Sequence, residues 1–319
     1  MRSRLTALLV ACATLALPLL AAQPSSAVEG DVRIKTVAFN VLAPCWASPT
    51  YYPSPCAAAL DADTRRASVL RTLRALPDVD AYALQETQID ENPLLAAGLG
   101  RDYTYFAAYH DDTYWSSWIT PAPAFARNGV ALAINNKTFD NCTFTDLPLG
   151  TGNHAAVAVC RHKALRRLVR IASVHLDSDY GGRRGKEARA LAAWFSGGTN
   201  AIDLIAGDLN ADTDTGVVQQ RITAAGFTDV LRAVGVDENT HPWTSSYNGN
   251  SMFGNIDHVM ARGKGVRATG GQVHTNDLWT IHPVLGGSGE PNESQRICAN
   301  LQLTGSDHFP VDGTITVTP

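Results

Sequence analysis

The sequence has 319 residues, of which 45% are hydrophobic and 18% are charged, which is ordinary for a globular protein. Its 26 Lys and Arg against 30 Asp and Glu give a formal net charge of −4, which argues against a broad basic surface for gripping nucleic acid. The chain contains no low-complexity tract, long linker or internal repeat, and it is long enough to bury a sizeable core.

The first residues are typical of a secretory signal peptide. Two arginines precede the apolar run 5–22, and small residues follow at Ser25-Ser26-Ala27. The apolar run is barely long enough to span a membrane, and it continues well past Cys12, where a lipoprotein box would end. We therefore predict a signal peptide over residues 1–27 and an exported, soluble domain over residues 28–319.

Five cysteines follow the predicted cleavage point, and export permits disulfides. Cys45 and Cys56 bracket a Pro-rich loop, and Cys142 and Cys160 flank a predicted β-hairpin. We predict these two pairs and a free Cys298, although spacing alone leaves other pairings open. No C-x-x-C spacing for a zinc cluster occurs.

The chain then alternates between strand-like and helix-like segments. The strand from Val32 to Leu42 precedes a helix near 63–76, whose leucines face a core. The arginines predicted on the solvent face of that helix are Arg65, Arg66, Arg71 and Arg74. Further strands are predicted at 81–84, 103–109, 129–134, 155–160, 168–176, 202–206, 227–232, 255–261, 266–274 and 311–317, with helices around 188–195 and 216–225. Runs of strands separated by helical crossovers indicate mixed sheets covered by helices.

Polar residues recur where the predicted strands end. They are Asn40, Glu86, His175, Asp208, Asn210, Asp257, Asp307 and His308. Each alone is explained by a turn, a helix cap or a solvated loop charge. Their recurrence beside buried strands predicts a catalytic site, because catalytic groups concentrate in the loops that follow strands.

The oxygen donors among these residues suit a hard cation. Glu86, Asp307 and Asn40 offer only oxygen ligands. Magnesium takes one or two carboxylates and completes its shell with waters and substrate phosphate. We therefore predict a Mg²⁺ cofactor, with Mn²⁺ or Ca²⁺ as alternatives, and we expect Glu86 and His308 to be partly solvated.

The remaining residues fit the hydrolysis of a phosphate ester. Asp208 and Asn210 are two apart, so on an extended strand they point the same way, one toward a water and one toward a phosphoryl oxygen. His308 could act as base, acid or charge stabiliser if Asp257 holds its other nitrogen. His175 adds a second imidazole. Together they predict a metal-assisted in-line displacement at phosphorus.

The order of these motifs resembles the endonuclease/exonuclease/phosphatase superfamily, the DNase I-like proteins. The motifs that carry the resemblance are Asn40, Leu84-Gln85-Glu86, Val174-His175-Leu176, Gly207-Asp208-Leu209-Asn210, Ile256-Asp257 and Ser306-Asp307-His308-Phe309-Pro310. The resemblance implies an α/β four-layer sandwich of two mixed β-sheets flanked by helices. It also implies that residues 28–319 form a catalytic domain in which Glu86 binds magnesium and Thr244 contacts phosphate.

Some positions depart from the family pattern. His258 stands where many members carry an aromatic residue, and we interpret it as a packing or hydrogen-bonding substitute. Residues 100–128 contain no clean match to the family's substrate-contacting Tyr or Arg. The candidates there, expected to be structural, are Tyr109, Tyr114 and Arg127. The histidines predicted to have no role at the site are His110, His154, His162, His241, His274 and His282.

Three functions remain open at this stage. The first is a secreted nuclease or related phosphodiesterase acting on nucleic acid. The second is a hydrolase of phospholipid, sphingomyelin or inositol-phosphate head groups, for which Trp115, Trp118 and Ile119 could form an apolar lip, although these rings could equally stack bases. The third, a non-catalytic binding module, is disfavoured because every site residue is present. No stable protein partner is evident.

Overall fold

The computed structural model describes residues 30–49, 52, 54–111, 127–197, 200–211, 216–236, 240, 255–275 and 293–319. The predicted signal peptide, Thr244 and the aromatic run at Trp115 and Trp118 lie outside these residues. In the described part of the chain, no helix has the length and apolar character that a bilayer span requires.

Short strands and helices alternate along the described chain. The strands are β1 (Val32–Asn40), β2 (Ala81–Gln88), β3 (Tyr103–Tyr109), β4 (Asn128–Asn135), β5 (Phe139–Pro148), β6 (His154–His162), β7 (Leu168–His175), β8 (Ile202–Asp208), β9 (Thr228–Asp229), β10 (Asp257–Arg262), β11 (Val266–Val273) and β12 (Val311–Val317). The helices are α1 (Ala62–Ala75), α2 (Asn92–Leu99), α3 (Gly181–Phe195), α4 (Val217–Ala224), α5 (Val230–Ala233) and α6 (Glu293–Thr304), with a 3₁₀ helix over Ser54–Leu60.

The strands form two mixed six-stranded sheets. Sheet A has the order β11-β12-β1-β2-β4-β3, and sheet B has the order β5-β6-β7-β8-β10-β9. Each sheet contains one parallel pair, β1 with β2 and β7 with β8, whereas the other pairs are antiparallel. Because parallel strands end at the same edge, each sheet presents two strand carboxyl ends together.

Successive side chains along each strand point to opposite faces of the sheet. They form one core between the two sheets and two further cores beneath the outer helices. In β1, Ile34 and Ala38 join the core between the sheets, whereas Val37 and Phe39 pack with Leu73 of α1. On sheet B, residues of α3 such as Leu191 pack outside the sheet. Helices therefore cover both outer faces, and the predicted four-layer sandwich is confirmed.

One polar contact links the sheets inside this core. Ser173 Oγ of β7 accepts a hydrogen bond from Gln85 Nε2 of β2 at 3.0 Å and donates to Leu84 O at 3.0 Å. Gln85 and Ser173 are completely buried, so the bonds are shielded from water. They fix β2 against β7 close to the strand ends.

Two local predictions need correction, and two helices were missed. Strand 227–232 is wrong beyond Asp229, because the Asp229 carboxylate accepts from Arg232 N at 3.2 Å and caps the short helix α5. Arg65 does not face solvent: it is 3% exposed, since its guanidinium donates to the carbonyls of Leu42 and Gly305. Helices α2 and α6 were not predicted.

The disulfide prediction is confirmed for one pair and wrong for the other. Cys142 and Cys160 are bonded, but Cys56 is bonded to Cys298 and not to Cys45. The reason is tertiary: the 3₁₀ helix packs against α6 and brings the Cα atoms of Cys56 and Cys298 to 4.7 Å. Burial, together with the charge of Glu86, raises the pKa of the Cys45 thiol to about 12.

His258 forms a buried ion pair that links three segments. Its Nδ1 lies 2.8 Å from Asp229 Oδ2, and its Nε2 lies 3.0 Å from Ala211 O. Burial lowers the pKa of His258, but the Asp229 carboxylate outweighs this effect and raises it. Burial likewise opposes ionisation of Asp229, whereas His258 lowers its pKa. The hydrogen bonding interpreted for His258 is confirmed, whereas its replacement of a family aromatic residue stays an interpretation.

Loss of the Cys56–Cys298 disulfide should destabilise the fold more than loss of Cys142–Cys160. The two bonds join residues 242 and 18 positions apart. Chain entropy assigns about 5 kcal/mol to the longer loop and about 3 kcal/mol to the shorter one. Urea unfolding of Cys56→Ala/Cys298→Ala and Cys142→Ala/Cys160→Ala under non-reducing conditions measures both losses. Equal losses would show that loop closure does not determine the difference.

The His258–Asp229 pair should stabilise the protein most in mild acid. The folded pKa of Asp229 lies below 3.8, so its contribution is present above that pH and is lost on further acidification. The folded pKa of His258 lies above 6.5, so its contribution is complete below that pH and is lost as the pH rises through the folded value. The difference in melting temperature between wild type and His258→Gln should therefore peak between these pH values. A difference independent of pH would contradict this assignment.

Candidate active site

The predicted site residues within the described chain meet at one edge of the sandwich. Asn40, His175 and Asp208 are the last residues of β1, β7 and β8, and Asp257 is the first residue of β10. Strand register brings His175 and Asp257 directly beside Asp208. The loop between α6 and β12 adds Asp307 and His308 from the sheet A side.

Glu86 reaches the site because β2 is irregular at this position. The pairing of β2 with β4 shifts between Gln85 and Thr87, so Glu86 is an extra residue, and its φ of 56° is left-handed. Its carboxylate accepts from Asn40 Nδ2 at 3.0 Å and from Ala43 N at 3.0 Å. The side chain remains partly exposed, as expected.

The Asn40 amide connects the two sides of the site. Its Nδ2 donates to Glu86 Oε1 at 3.0 Å and to Asp208 Oδ2 at 3.2 Å, while its Oδ1 accepts from Leu42 N at 3.0 Å. A flipped amide would place oxygen against two carboxylates and NH₂ against an N–H, so these contacts define its orientation. In this arrangement Asn40 holds carboxylates in place through its nitrogen; its role as an oxygen ligand remains a prediction.

Asp208 and Asn210 form a turn and not an extended strand. Strand β8 ends at Asp208, whose Oδ1 accepts from Asn210 N at 2.8 Å, and Asn210 has a φ of 48°. The expectation that their side chains align on a strand is therefore wrong. Asn210 Nδ2 instead donates to Leu176 O at 2.8 Å, which ties the turn to the end of β7.

Gly207 permits the close packing that precedes this turn. Its φ is 147°, and an added Cβ would lie 2.1 Å from Val174 O. Only glycine fits such an approach of two backbones. The Gly-Asp-Leu-Asn motif therefore places Asp208 by sterics as well as by register.

Two imidazoles flank the Asp208 carboxylate. His308 Nδ1 lies 2.8 Å from Asp257 Oδ2, and its Nε2 lies 3.8 Å from Asp208 Oδ2. His175 Nε2 lies 3.6 Å from the same Asp208 oxygen. All four side chains are buried, so the expectation that His308 is partly solvated is wrong: it is 5% exposed because Asp257 draws the ring inward.

This burial shifts the proton affinities of the cluster. Burial and the charge of Asp257 raise the pKa of Asp208, an effect that the neighbouring histidines oppose. Burial lowers the pKa of His308, but the carboxylates of Asp257, Asp307 and Asp208 outweigh it and raise the pKa to about 10. His308 is therefore set to be an imidazolium near neutral pH.

Asp307 is held from both flanks. Tyr52 Oη donates to Asp307 Oδ2 at 2.7 Å. Next to it, Ser306 Oγ donates to Asn40 O at 2.6 Å and accepts from His308 N at 3.1 Å. The Ser-Asp-His segment is thereby bonded to the end of β1, which explains how residues far apart in sequence share one edge.

Two groups of side chains are chemically suited to a cation. Asp208, Asp257 and His308 each offer a ligand atom within 4.8 Å of the others, but all three are buried and already engaged with one another. Glu86 and Asp307 are partly exposed carboxylates. Burial is the main reason why the pKa of the Tyr52 phenol is raised, and the charges of both carboxylates raise it further. A hard ion that retains water fits the second group better.

Three residues near the site had no predicted role in it. Arg65 and Tyr52 support the carboxylate side, and only their tertiary contacts reveal this. The ring of His110 lies 6.3 Å from that of His175, and its Nδ1 accepts from His154 N at 3.0 Å. Burial, together with the charges of His175 and His154, lowers the pKa of His110 well below its usual value, so it stays neutral. Its position after β3 was the available signal.

Comparisons with known proteins identify the same architecture. No curated protein matches the sequence. An endonuclease/exonuclease/phosphatase family protein from Bacteroides thetaiotaomicron is 14% identical, with a TM-score of 0.63 over 91% of this chain and 100% of that chain. The human Nocturnin catalytic domain with a bound sulfate anion is 15% identical, with a TM-score of 0.60 over 90% of this chain and 94% of the other.

A third similar structure is the Bacteroides thetaiotaomicron VPI-5482 mannosyl-6-phosphatase Bt3783. It is 15% identical, with a TM-score of 0.59 over 88% of this chain and 99% of that chain. At such identities the likeness concerns the fold. The sequence model of the Endonuclease/Exonuclease/phosphatase family, however, matches residues 37–308, which span every site residue considered above. The chain therefore belongs to the Endonuclease/Exonuclease/phosphatase family.

Proposed function

We propose that the chain is an exported, divalent-metal-dependent phosphodiesterase that hydrolyses phosphodiester bonds of nucleic acid. The family includes nucleases, phosphatases and phosphodiesterases, so a phosphate-ester hydrolase is the supported class. The observation that carries the proposal is the meeting of Asp208 with His308, His175 and the Asn40 amide within 3.2–3.8 Å. Such a cluster provides a carboxylate base, two imidazoles and an amide donor around one reacting centre.

Glu86 and Asp307 are the residues we assign to the cation. Both are carboxylates at the partly exposed side of the site, and Asn40 and Tyr52 hold one oxygen of each. When bound, a divalent ion would neutralise charge on a phosphate oxygen. Because the donors that orient both carboxylates are neutral, the carboxylates keep their full negative charge, which is then available to bind the ion.

Asp208 is assigned as the acceptor of the proton from the attacking water. Its raised pKa brings the carboxylate nearer to the range that a general base needs. The water oxygen forms the new bond to phosphorus as the bond to the leaving oxygen breaks, and the leaving group departs with a proton. Asn210, adjacent in the turn, has a second amide hydrogen with which to bind a phosphoryl oxygen.

The two histidines are assigned to the developing negative charge. Asp257 holds His308 as an imidazolium, which suits it to stabilise charge on the phosphate and not to accept a proton. We assign His175, whose Nε2 lies 3.6 Å from Asp208 Oδ2, to protonate the leaving oxygen. We also propose that Thr244 contacts the phosphate. This assignment rests on the sequence motif alone, since Thr244 lies outside the described residues.

The segment after His175 favours a polyanionic substrate. The Arg183 guanidinium lies 4.8 Å from the ring centre of exposed Tyr180 and 3.5 Å from Asp177 Oδ2, and Lys186 is exposed in the first turns of α3. Basic side chains beside a phosphodiesterase site contact flanking phosphates, and an exposed aromatic ring stacks a base. Phosphomonoester hydrolysis is the second candidate, because one similar structure is a mannosyl-6-phosphatase.

Export is proposed from the N-terminal sequence together with the disulfides. Residues 1–27 have the pattern of a signal peptide, and residues 28–319 would form the mature enzyme. The two disulfides fit an oxidising compartment. The same bonds would be rare in a reducing cytosol.

Replacement of the metal-side Glu86 or of His308 should lower turnover strongly. Glu86→Gln and His308→Gln should each lower kcat/KM by at least about 100-fold, since one removes a ligand charge and the other a cationic donor. The matched control is His162→Gln. His162 is as buried as His308, but it is the last residue of β6, whose other end lies at the edge that carries the site. Melting temperatures show whether each variant is folded. Near-normal kcat/KM in a folded Glu86→Gln or His308→Gln protein would refute the assigned roles.

Substrate class and metal dependence are tested together on residues 28–319. The panel comprises single-stranded DNA, RNA, bis-p-nitrophenyl phosphate, sphingomyelin, an inositol phosphate and mannose 6-phosphate, each with Mg²⁺, Mn²⁺, Ca²⁺ or EDTA. We expect nucleic acid and the diester to be cleaved, EDTA to abolish cleavage and added cation to restore it. Preference for a phosphomonoester or lipid would overturn the substrate class, and full activity in EDTA would overturn the metal role.

A further inference from the structure

We propose that Tyr52 is a positioning residue that fixes the Asp307 carboxylate for the divalent cation. The inference rests on the proposed function, because it assigns a role toward the ion that Glu86 and Asp307 would hold. It goes further in naming a residue that contacts neither the ion nor the phosphate.

The hydrogen bond itself is short and sheltered. Tyr52 Oη lies 2.7 Å from Asp307 Oδ2, and the tyrosine is only 7% exposed. A phenol donating to a carboxylate makes a charge-assisted bond, which is stronger than a neutral one. Water has little access to replace the phenol, so the bond persists in the folded protein.

Both ends of this bond belong to one covalently closed unit. Tyr52 N donates to Ser48 O at 3.2 Å, and four residues later Cys56 is bonded to Cys298 of α6. Helix α6 ends at Thr304, three residues before Asp307. The disulfide therefore limits how far the phenol and the carboxylate can separate.

Packing gives the tyrosine a fixed place within this unit. Tyr52 belongs to a small buried cluster with Leu42, Cys56, Cys298 and Leu301. Arg65 stabilises the same region, because its guanidinium donates hydrogen bonds to both Leu42 O and Gly305 O. The segment that carries Asp307 is thus tied, through Gly305, to Leu42 of the cluster that contains the phenol.

The consequence for the carboxylate is orientational. The terminal torsion of an aspartate is soft, so an unsupported carboxylate samples many orientations. The phenol engages Oδ2 at 2.7 Å, whereas Oδ1 has a longer contact of 3.5 Å with Ser306 Oγ, so the tyrosine makes the shorter of these two hydrogen bonds to the group. Residues that orient metal ligands in this way typically change metal affinity by about 10- to 100-fold when they are removed.

Tyr52→Phe is the direct test, because it deletes the hydroxyl and retains the ring. Calorimetric titration with Mg²⁺ and with Mn²⁺, without substrate, measures the dissociation constant. We expect it to rise by at least about 10-fold relative to wild type. Activity should fall at low Mg²⁺ and recover at saturating Mg²⁺, which a general loss of folding would not produce.

Tyr82→Phe is the matched control. Tyr82 is buried, and its hydroxyl donates to Leu73 O at 2.8 Å and also bonds Tyr103, so the same atom and its buried hydrogen bonds are lost away from the site. Its metal dissociation constant should equal that of wild type. Thermal unfolding without metal compares the stability of both variants directly.

The outcomes separate the two proposals. If wild type binds Mg²⁺ or Mn²⁺ and Tyr52→Phe binds it equally well, the positioning role of Tyr52 is wrong and the proposed function stands. An equal shift in Tyr82→Phe would also overturn the positioning role, since it would reflect stability alone. A wild-type protein that binds neither ion and hydrolyses phosphodiesters without them overturns both.

Discussion

The contact between two sheets that each contain a parallel strand pair is the constraint on which the site depends. Parallel strands end together, so β1 with β2 and β7 with β8 each deliver two polar residues to one edge. The buried Gln85–Ser173 hydrogen bond keeps these two edges adjacent. Without that alignment, the carboxylate side on sheet A and the imidazole side on sheet B would not face the same volume.

Asp208 lies where the two sheets bring their polar residues together. A fully buried carboxylate is expensive unless charged or donating groups surround it. Here the Asn40 amide, the Asn210 backbone N–H and two imidazoles do so, while Asp257 secures one imidazole from behind. The same contacts that make the burial tolerable also shift the pKa of Asp208, and the proposed role of this residue as a base depends on that shift.

Strand periodicity and local motifs were sufficient to predict the fold and the edge of the sandwich at which the candidate site lies. Polar residues after apolar strands predicted the edge, and ordered motifs predicted the sandwich. Contacts between distant segments were not predictable in this way. The position of Arg65 on its helix suggested a solvated charge, because nothing nearby in sequence signals that Leu42 and Gly305 present carbonyls to it. Cys45 and Cys56 are close in sequence, yet Cys56 meets Cys298 because two helices pack.

The placement of β12 has a consequence for how the protein is made. This strand lies between β11 and β1 in the interior of sheet A, although β1 is formed by residues 32–40 and β12 by residues 311–317. Sheet A therefore cannot close until residues 311–317 have left the ribosome, and such non-local pairing is slow. Asp307 and His308, just ahead of β12, join the edge in that same late step. Until residues 311–317 have emerged, sheet A lacks an interior strand, and its edge lacks the Asp307 and His308 side chains.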